Sequence, residues 1–79
     1  MQEISALPDK KGIIGAKEIA RAIQSGRLRR VIVASNCPDF LISRISHGNI
    51  VIERFNSGQK DLGTKLGKPF PVAMVGYEE

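Results

Sequence analysis

Apolar positions along this 79-residue chain switch repeatedly between two periods. From Ala16 to Ser25 they recur at helical spacing. Ala16, Ile19, Ala20 and Ile23 fall at i, i+3, i+4 and i+7 and make one stripe, while Lys17, Glu18, Arg21 and Gln24 lie elsewhere on the surface. Gly26 stands where a helix C-cap glycine belongs. Val31-Ile32-Val33-Ala34-Ser35 is then continuously apolar and β-branched, the pattern of an interior strand covered on both faces. Asn36-Cys37-Pro38-Asp39 reads as a strand-to-helix turn, with Pro38 suited to a first helical position and Asp39 to the positive end of the helix dipole. A short helix follows from Asp39 to Ser46, and Gly48-Asn49 stops it. Ile50-Val51-Ile52 with Phe55 predicts another strand. Asn56-Ser57-Gly58 turns the chain, with Ser57 as the expected cap of a third helix running to about Leu66. Gly67, Pro69 and Pro71 break that helix, and Val72-Ala73-Met74-Val75 forms the last strand. Ile13-Ile14 is a stub of strand before the first helix, and residues 1–11 read as a loose N-terminal arm.

Strands alternating with helices over short connections predict a three-layer α/β/α sandwich around a small mixed four-stranded sheet. Composition agrees with one folded domain over residues 1–79: 42% of residues are hydrophobic and 25% charged, outside the disordered regime. A chain this short buries only about 60–65% of its unfolded surface, which excludes a large enzyme with its own cofactor domain. The single cysteine, Cys37, cannot pair internally and fits a reducing cytoplasm. Val31 to Ala34 is the longest apolar run, far below the roughly 20 residues of a membrane span. Met1-Gln2-Glu3-Ile4-Ser5 has neither the basic nor the apolar region of a secretory signal.

Charge narrows the partner. Twelve Lys and Arg face eight Asp and Glu, for a net charge of +4 and a pI near 9.6. Two of the acids are Glu78 and Glu79, so the rest of the chain is more basic still. A polyanionic partner is the economical expectation.

Catalytic motifs are missing. Gly58 and Gly63 have Walker-loop spacing, but Thr64 follows where lysine is required. Gly63 and Gly67-Lys68 are one residue too close, and Pro69 fills the magnesium-ligand position. Cys37 and His47 are the only thiol and imidazole, about 15 Å apart along a continuous helix, too far to form a pair. Together they also fall short of a tetrahedral metal site. Asp61 and Glu53 have no paired-carboxylate spacing. No enzyme activity, cofactor, metal or small-molecule substrate is therefore expected.

The basic residues are better organised. Lys17 and Arg21 share a helix face with Glu18 beside them, and Gly15 leaves free backbone N–H groups at the helix start. The plain alternative is a solvated face with an i,i+3 pair of Glu18 and Arg21. Gly67-Lys68-Pro69-Phe70 sets a lysine and an aromatic on one loop. Phe70 there either stacks on a base or begins the final strand and points into the core.

These stretches resemble the ribosomal-protein superfamily of L-seven-Ae and L-thirty-e, most closely the L-thirty-e branch. The resemblance rests on Gly15 to Gly26, on Val31 to Pro38 and on Asp61 to Val72, where Leu-Gly followed by Leu-Gly-Lys-Pro-Phe is the most diagnostic run. It implies an α/β/α sandwich that binds kink-turn or related internal-loop RNA, with tandem sheared G·A pairs beside a sharp bend. It also implies RNA contacts from Gly15, Lys17, Glu18 and Arg21, from Asn36, and from Lys68 and Phe70, with Arg44 added on position alone. A carboxylate can accept from guanine N1–H and N2–H₂, and lysine or arginine can donate to guanine O6 and N7 or to phosphate. Arg27, Arg29, Arg30 and Lys65 would add phosphate contacts. Departures are Lys17-Glu18 where kink-turn specialists carry Asn-Glu, a middle helix about a turn short, and no C-terminal extension past Glu79.

The expected role is a non-enzymatic ribosomal protein of the large subunit in the cytoplasm, partnered by structured RNA and neighbouring ribosomal proteins. The alternatives are a free-standing kink-turn binder of guide-RNA or RNase P particles, and a protein-interaction module on the same fold.

Overall fold

The computed structural model describes residues 1–46 and 49–78. Five strands and three helices follow one another along the chain: β1 (Gln2–Ile4), β2 (Ile13–Ile14), α1 (Ala16–Gln24), β3 (Leu28–Val33), α2 (Asp39–Ile45), β4 (Val51–Phe55), α3 (Gln59–Lys65) and β5 (Met74–Glu78). The strands form one mixed sheet in the order β1-β4-β3-β5-β2. β1 runs parallel to β4 and β4 parallel to β3, whereas β5 is antiparallel to both β3 and β2.

Registered residues share a face of the sheet. Val31, Ile52 and Gly76 lie on one face with Val33, Arg54 and Met74. Arg30, Val51 and Tyr77 lie on the other with Ile32, Glu53 and Val75. α1 and α2 pack against each other, and α1 also packs against β3 and β5. Phe55 of β4 and Asp61, Thr64 and Lys65 of α3 border one hollow. The fully buried core takes Ile19 and Ala22 from α1, Val31 to Val33 from β3, and Leu62 from α3.

The sheet has five strands and not the expected four. Residues 2–4, expected in a loose arm, pair with Glu53 to Phe55 as an edge strand, and Asn56 N–H donates to Ile4 O at 2.9 Å. Three mostly exposed residues leave no alternation to read, because an edge strand this short buries almost nothing. β3 begins at Leu28, earlier than expected, and takes in Arg29 and Arg30, while β4 begins at Val51 and spans Glu53 as expected. Arg30 Nε donates to the Glu53 carboxylate, and that carboxylate is nearly buried, so each charge makes the other tolerable inside the sheet. β5 starts two residues later than expected and continues through Gly76 to Glu78. A Cβ at Gly76 would approach Leu28 Cδ1 to 2.5 Å. Glycine here makes room for the buried Leu28 side chain at a place where it weakens the strand pattern.

Two helices end alike. Gly26 and Gly67 adopt left-handed φ of 78° and 73°. After α1, Gly26 N–H donates to Ile23 O and Arg27 N–H to Ala22 O. After α3, Gly67 N–H donates to Thr64 O and Lys68 N–H to Gly63 O. Both are Schellman motifs, in which glycine avoids the Cβ penalty and the last carbonyls gain partners. The second one fixes where Lys68 leaves the helix.

Candidate nucleic-acid interface

Register collects the predicted residues. Val33 pairs with Met74 and Ile14 with Val75, so the ends of β2 and β3 and the start of β5 share one edge of the sheet. The parallel pairing of Val33 with Arg54 brings the end of β4 to the same edge. Gly15, Asn36, Gly58 and the 66–73 loop therefore emerge together, outside the carboxyl ends of parallel strands, where open α/β sheets bind ligands.

Gly15 is the N-cap of α1, with φ 106° and no side-chain cap. That backbone requires glycine, and with no side chain to cap them the first-turn N–H groups are left without a side-chain acceptor. Lys17, Glu18 and Arg21 are all exposed on this helix. Glu18 Oε1 lies 3.7 Å from Arg21 Nη1 in the i,i+3 geometry, with both side chains well exposed. Such a pair is worth little in water and leaves both groups free to exchange partners.

Phe70 lies in the loop between α3 and β5, outside any strand, and is 50% exposed. Of its two readings, the core position is the one the fold does not use. Gly63 explains why: it packs against the Phe70 carbonyl so closely that a Cβ there would overlap it. The loop lies flat on α3, and the Phe70 ring remains outside. Lys60, Thr64, Lys68, Pro69, Phe70 and Pro71 line a shallow concavity of about 300 Å³. Lys60 was not singled out from the sequence. Its one signal is the i, i+4, i+8 spacing of Lys60, Thr64 and Lys68, which becomes a shared surface only through the turn at Gly67.

Asn36 is exposed but engaged. Its Oδ1 accepts the Gln59 N–H at 2.9 Å, and Gln59 Nε2 donates to the Asn36 carbonyl at 3.3 Å. The expected cap, Ser57, does not cap α3. The N-cap is Gly58, without a side-chain cap, and the Ser57 hydroxyl donates to the Asp61 carboxylate. Asn36 supplies the missing acceptor from across the edge. Backbone bonds tie the same loops together: Ala34 N–H to Ala73 O at 2.8 Å, Ser35 N–H to Ser57 O at 2.9 Å and Val72 N–H to Gln59 O at 3.0 Å.

Other candidates fall elsewhere. Arg27, Arg29 and Arg30 lie at the start of β3, about 20 Å of extended chain from its end. Arg30 is committed to Glu53, and Arg27 Nε donates to Ser25 Oγ at 3.3 Å. Lys65 borders a different hollow, with Ser5, Phe55 and Asn56. Arg44 is exposed in the last turn of α2. Cys37 is buried, and burial pushes its thiol up more than the Arg54 guanidinium lowers it, the reverse of an activated nucleophile. His47 lies outside the described residues.

A model of the ribosomal protein L7Ae/L30e/S12e/Gadd45 family matches residues 2–79. The chain belongs to that family. It is 35% identical over 66 residues to the large ribosomal subunit protein eL30 of Archaeoglobus fulgidus, covering 84% of this chain and 77% of that protein. With the eL30 of Methanosarcina mazei it shares 33% identity over 72 residues, covering 91% and 70%. The fold is similar to that of the Giardia lamblia 15.5kD RNA binding protein, with a TM-score of 0.69 at 15% identity over 86% of this chain and 60% of that one.

Proposed function

We propose that this chain is a non-enzymatic RNA-binding protein of the large ribosomal subunit that recognises a kinked internal loop of ribosomal RNA. The single observation that carries the reading is Glu18. It is an exposed acid between Lys17 and Arg21, at the Gly15-led start of α1, on the sheet edge that also presents Phe70. A surface that only neutralised phosphate would gain nothing from a carboxylate there beyond its pairing with Arg21. A surface that reads guanine needs one, because only an acceptor satisfies guanine N1–H and N2–H₂. In this reading, Gly15 brings the helix N–H groups to the RNA, Lys17 and Arg21 donate to guanine O6 and N7 or to phosphate, and Phe70 stacks on an unpaired base. Lys60 and Lys68 neutralise adjacent phosphates, and Asn36 completes the edge between the two clusters.

Sequence likeness to eL30 proteins along most of the chain supports the large ribosomal subunit as the residence and its RNA as the target, and the cytoplasm is part of the proposal. Titration of the chain with a kink-turn RNA, and with the same RNA after replacement of its G·A pairs, tests the reading across several salt concentrations. Preference for the intact kink that persists as salt rises is the expected result, since phosphate attraction falls with salt whatever the sequence. Equal affinity for both RNAs at every salt concentration would refute it. Co-sedimentation with large subunits tests the residence separately.

A further inference from the structure

Asn36 stands at the RNA edge, yet its side-chain oxygen is turned inward onto another helix. α3 is only seven residues long and begins at Gly58, which offers no side-chain cap. A helix this short has few internal hydrogen bonds, and its first N–H groups need an outside acceptor. Asn36 Oδ1 provides one to Gln59 N–H from 23 residues away, and Gln59 Nε2 returns a bond to the Asn36 carbonyl. The same Gln59 holds the far end of the 66–73 loop through its own carbonyl, which accepts Val72 N–H at 3.0 Å. The near end of that loop is held by Gly63 O, which accepts Lys68 N–H at 2.9 Å. Both bonds between Asn36 and Gln59 thus reach the helix whose Gln59 and Gly63 carbonyls hold the two ends of the segment that carries Lys68 and Phe70.

We infer that Asn36 is a positioning residue. Its interlock with Gln59 anchors the start of α3 and so pre-organises the Lys68–Phe70 loop for RNA, and Asn36 contributes to binding through that loop. The inference rests on the RNA-binding reading for its consequence, but its structural half stands without RNA. Rigid presentation matters because an exposed aromatic that must be ordered at the moment of binding loses affinity to that ordering.

The test has two arms. In the RNA-free protein, amide exchange of Gln59 and Val72 is compared with that of Val31 and Val33 in the central strand. Asn36→Ala should speed Gln59 and Val72 by about five- to tenfold, the size of a lost helix cap, and leave the central strand unchanged. Asn36→Asp keeps an acceptor at a helix start, where negative charge is favoured, and should restore protection. If Asn36→Ala does not fold, Gln59→Ala removes only the side-chain half of the interlock and should speed Val72 about two- to threefold. Unchanged Val72 exchange in whichever of these variants folds overturns the inference.

The second arm is a double-mutant cycle on a kink-turn RNA. Asn36→Ala should weaken binding by about fivefold in the wild-type background and by less than twofold beside Phe70→Ala. Equal losses in both backgrounds would mean that Asn36 touches RNA on its own account and would overturn the positioning role. If the wild-type chain does not prefer the kinked RNA, the proposed function fails while the exchange arm still decides whether Asn36 holds the loop.

Discussion

The two ends of the central strand β3 are both rich in basic residues, and they differ in what those residues are free to do. At its start, Arg27, Arg29 and Arg30 sit beside Glu53 and Glu78. Arg30 is spent on Glu53 and Arg27 on Ser25, and Lys10 Nζ donates to the Glu78 carbonyl at 2.8 Å. At its end, Lys60 and Lys68 are exposed beside Phe70 and Lys17 and Arg21 are exposed on α1, and the one ion pair there, among the described residues, is the solvent-screened pair of Glu18 and Arg21. At the start, Arg30 helps to stabilise the sheet through Glu53 while Arg27 and Arg29 are exposed beside it, whereas at the end Lys17, Arg21, Lys60 and Lys68 are all presented to solvent. The difference teaches that net charge identifies a class of partner, while the pairing of each cation decides which surface meets it.

The largest expected effect probes the packing behind the free end. Gly63→Ala forces a Cβ into the Phe70 carbonyl and should destabilise the fold by about 3 kcal/mol, read by denaturant unfolding. A neutral outcome would mean the 66–73 loop does not lie on α3 as described. At the other end, Glu53→Gln removes the charge that Arg30 needs and should cost about 2 kcal/mol, discounted for the partial exposure of Arg30. The folded fraction should bind RNA unchanged. A selective loss of RNA affinity there would erase the contrast between the two ends.

Phe70→Ala sharpens the contrast from the functional side. It should weaken RNA binding by about 1–2 kcal/mol with little change in stability, because the ring is half exposed. Loss of stability with intact affinity would move Phe70 into the core.

The smallest effect is alkaline. Tyr77 is buried on the Arg30 face, and burial raises its pKa more than Arg30 lowers it; Cys37 is raised likewise. The folded state therefore holds both protons more tightly than the unfolded chain. Stability is fully present below the ordinary values of about 8.5 for cysteine and 10 for tyrosine, and is lost as pH rises through the raised ones. Tyr77→Phe should flatten the higher part of this decline in thermal melts, and an identical decline in that variant would refute the assignment to Tyr77.

How much of this was legible in the sequence depended on whether the cause was local. α1 was readable because its stripe, its charges and Gly26 all lie within eleven residues. The Lys68–Phe70 loop was readable as a unit, but the exposure of Phe70 depends on Gly63 meeting a carbonyl seven residues later. β1 left no signal, since three edge residues cannot show a period. The α3 cap was misread as Ser57 because its true acceptor, Asn36, approaches from another loop. Lys60 has no local signal that singles it out, because only the turn at Gly67 brings it to the same hollow as Phe70. Local spacing places Gly15, Lys17, Glu18 and Arg21 at one helix start, and the family resemblance adds the RNA role proposed for them, which spacing alone leaves open.

The most direct measurement compares wild type and Glu18→Ala for binding to a kink-turn RNA and to its G·A-replaced variant at one moderate salt concentration. Glu18→Ala should lose about 1–3 kcal/mol of discrimination, while its affinity for the replaced RNA stays level or rises as a negative charge is removed. A mutant with undiminished discrimination would show that the acid at the start of α1 reads nothing, and the central claim would fall.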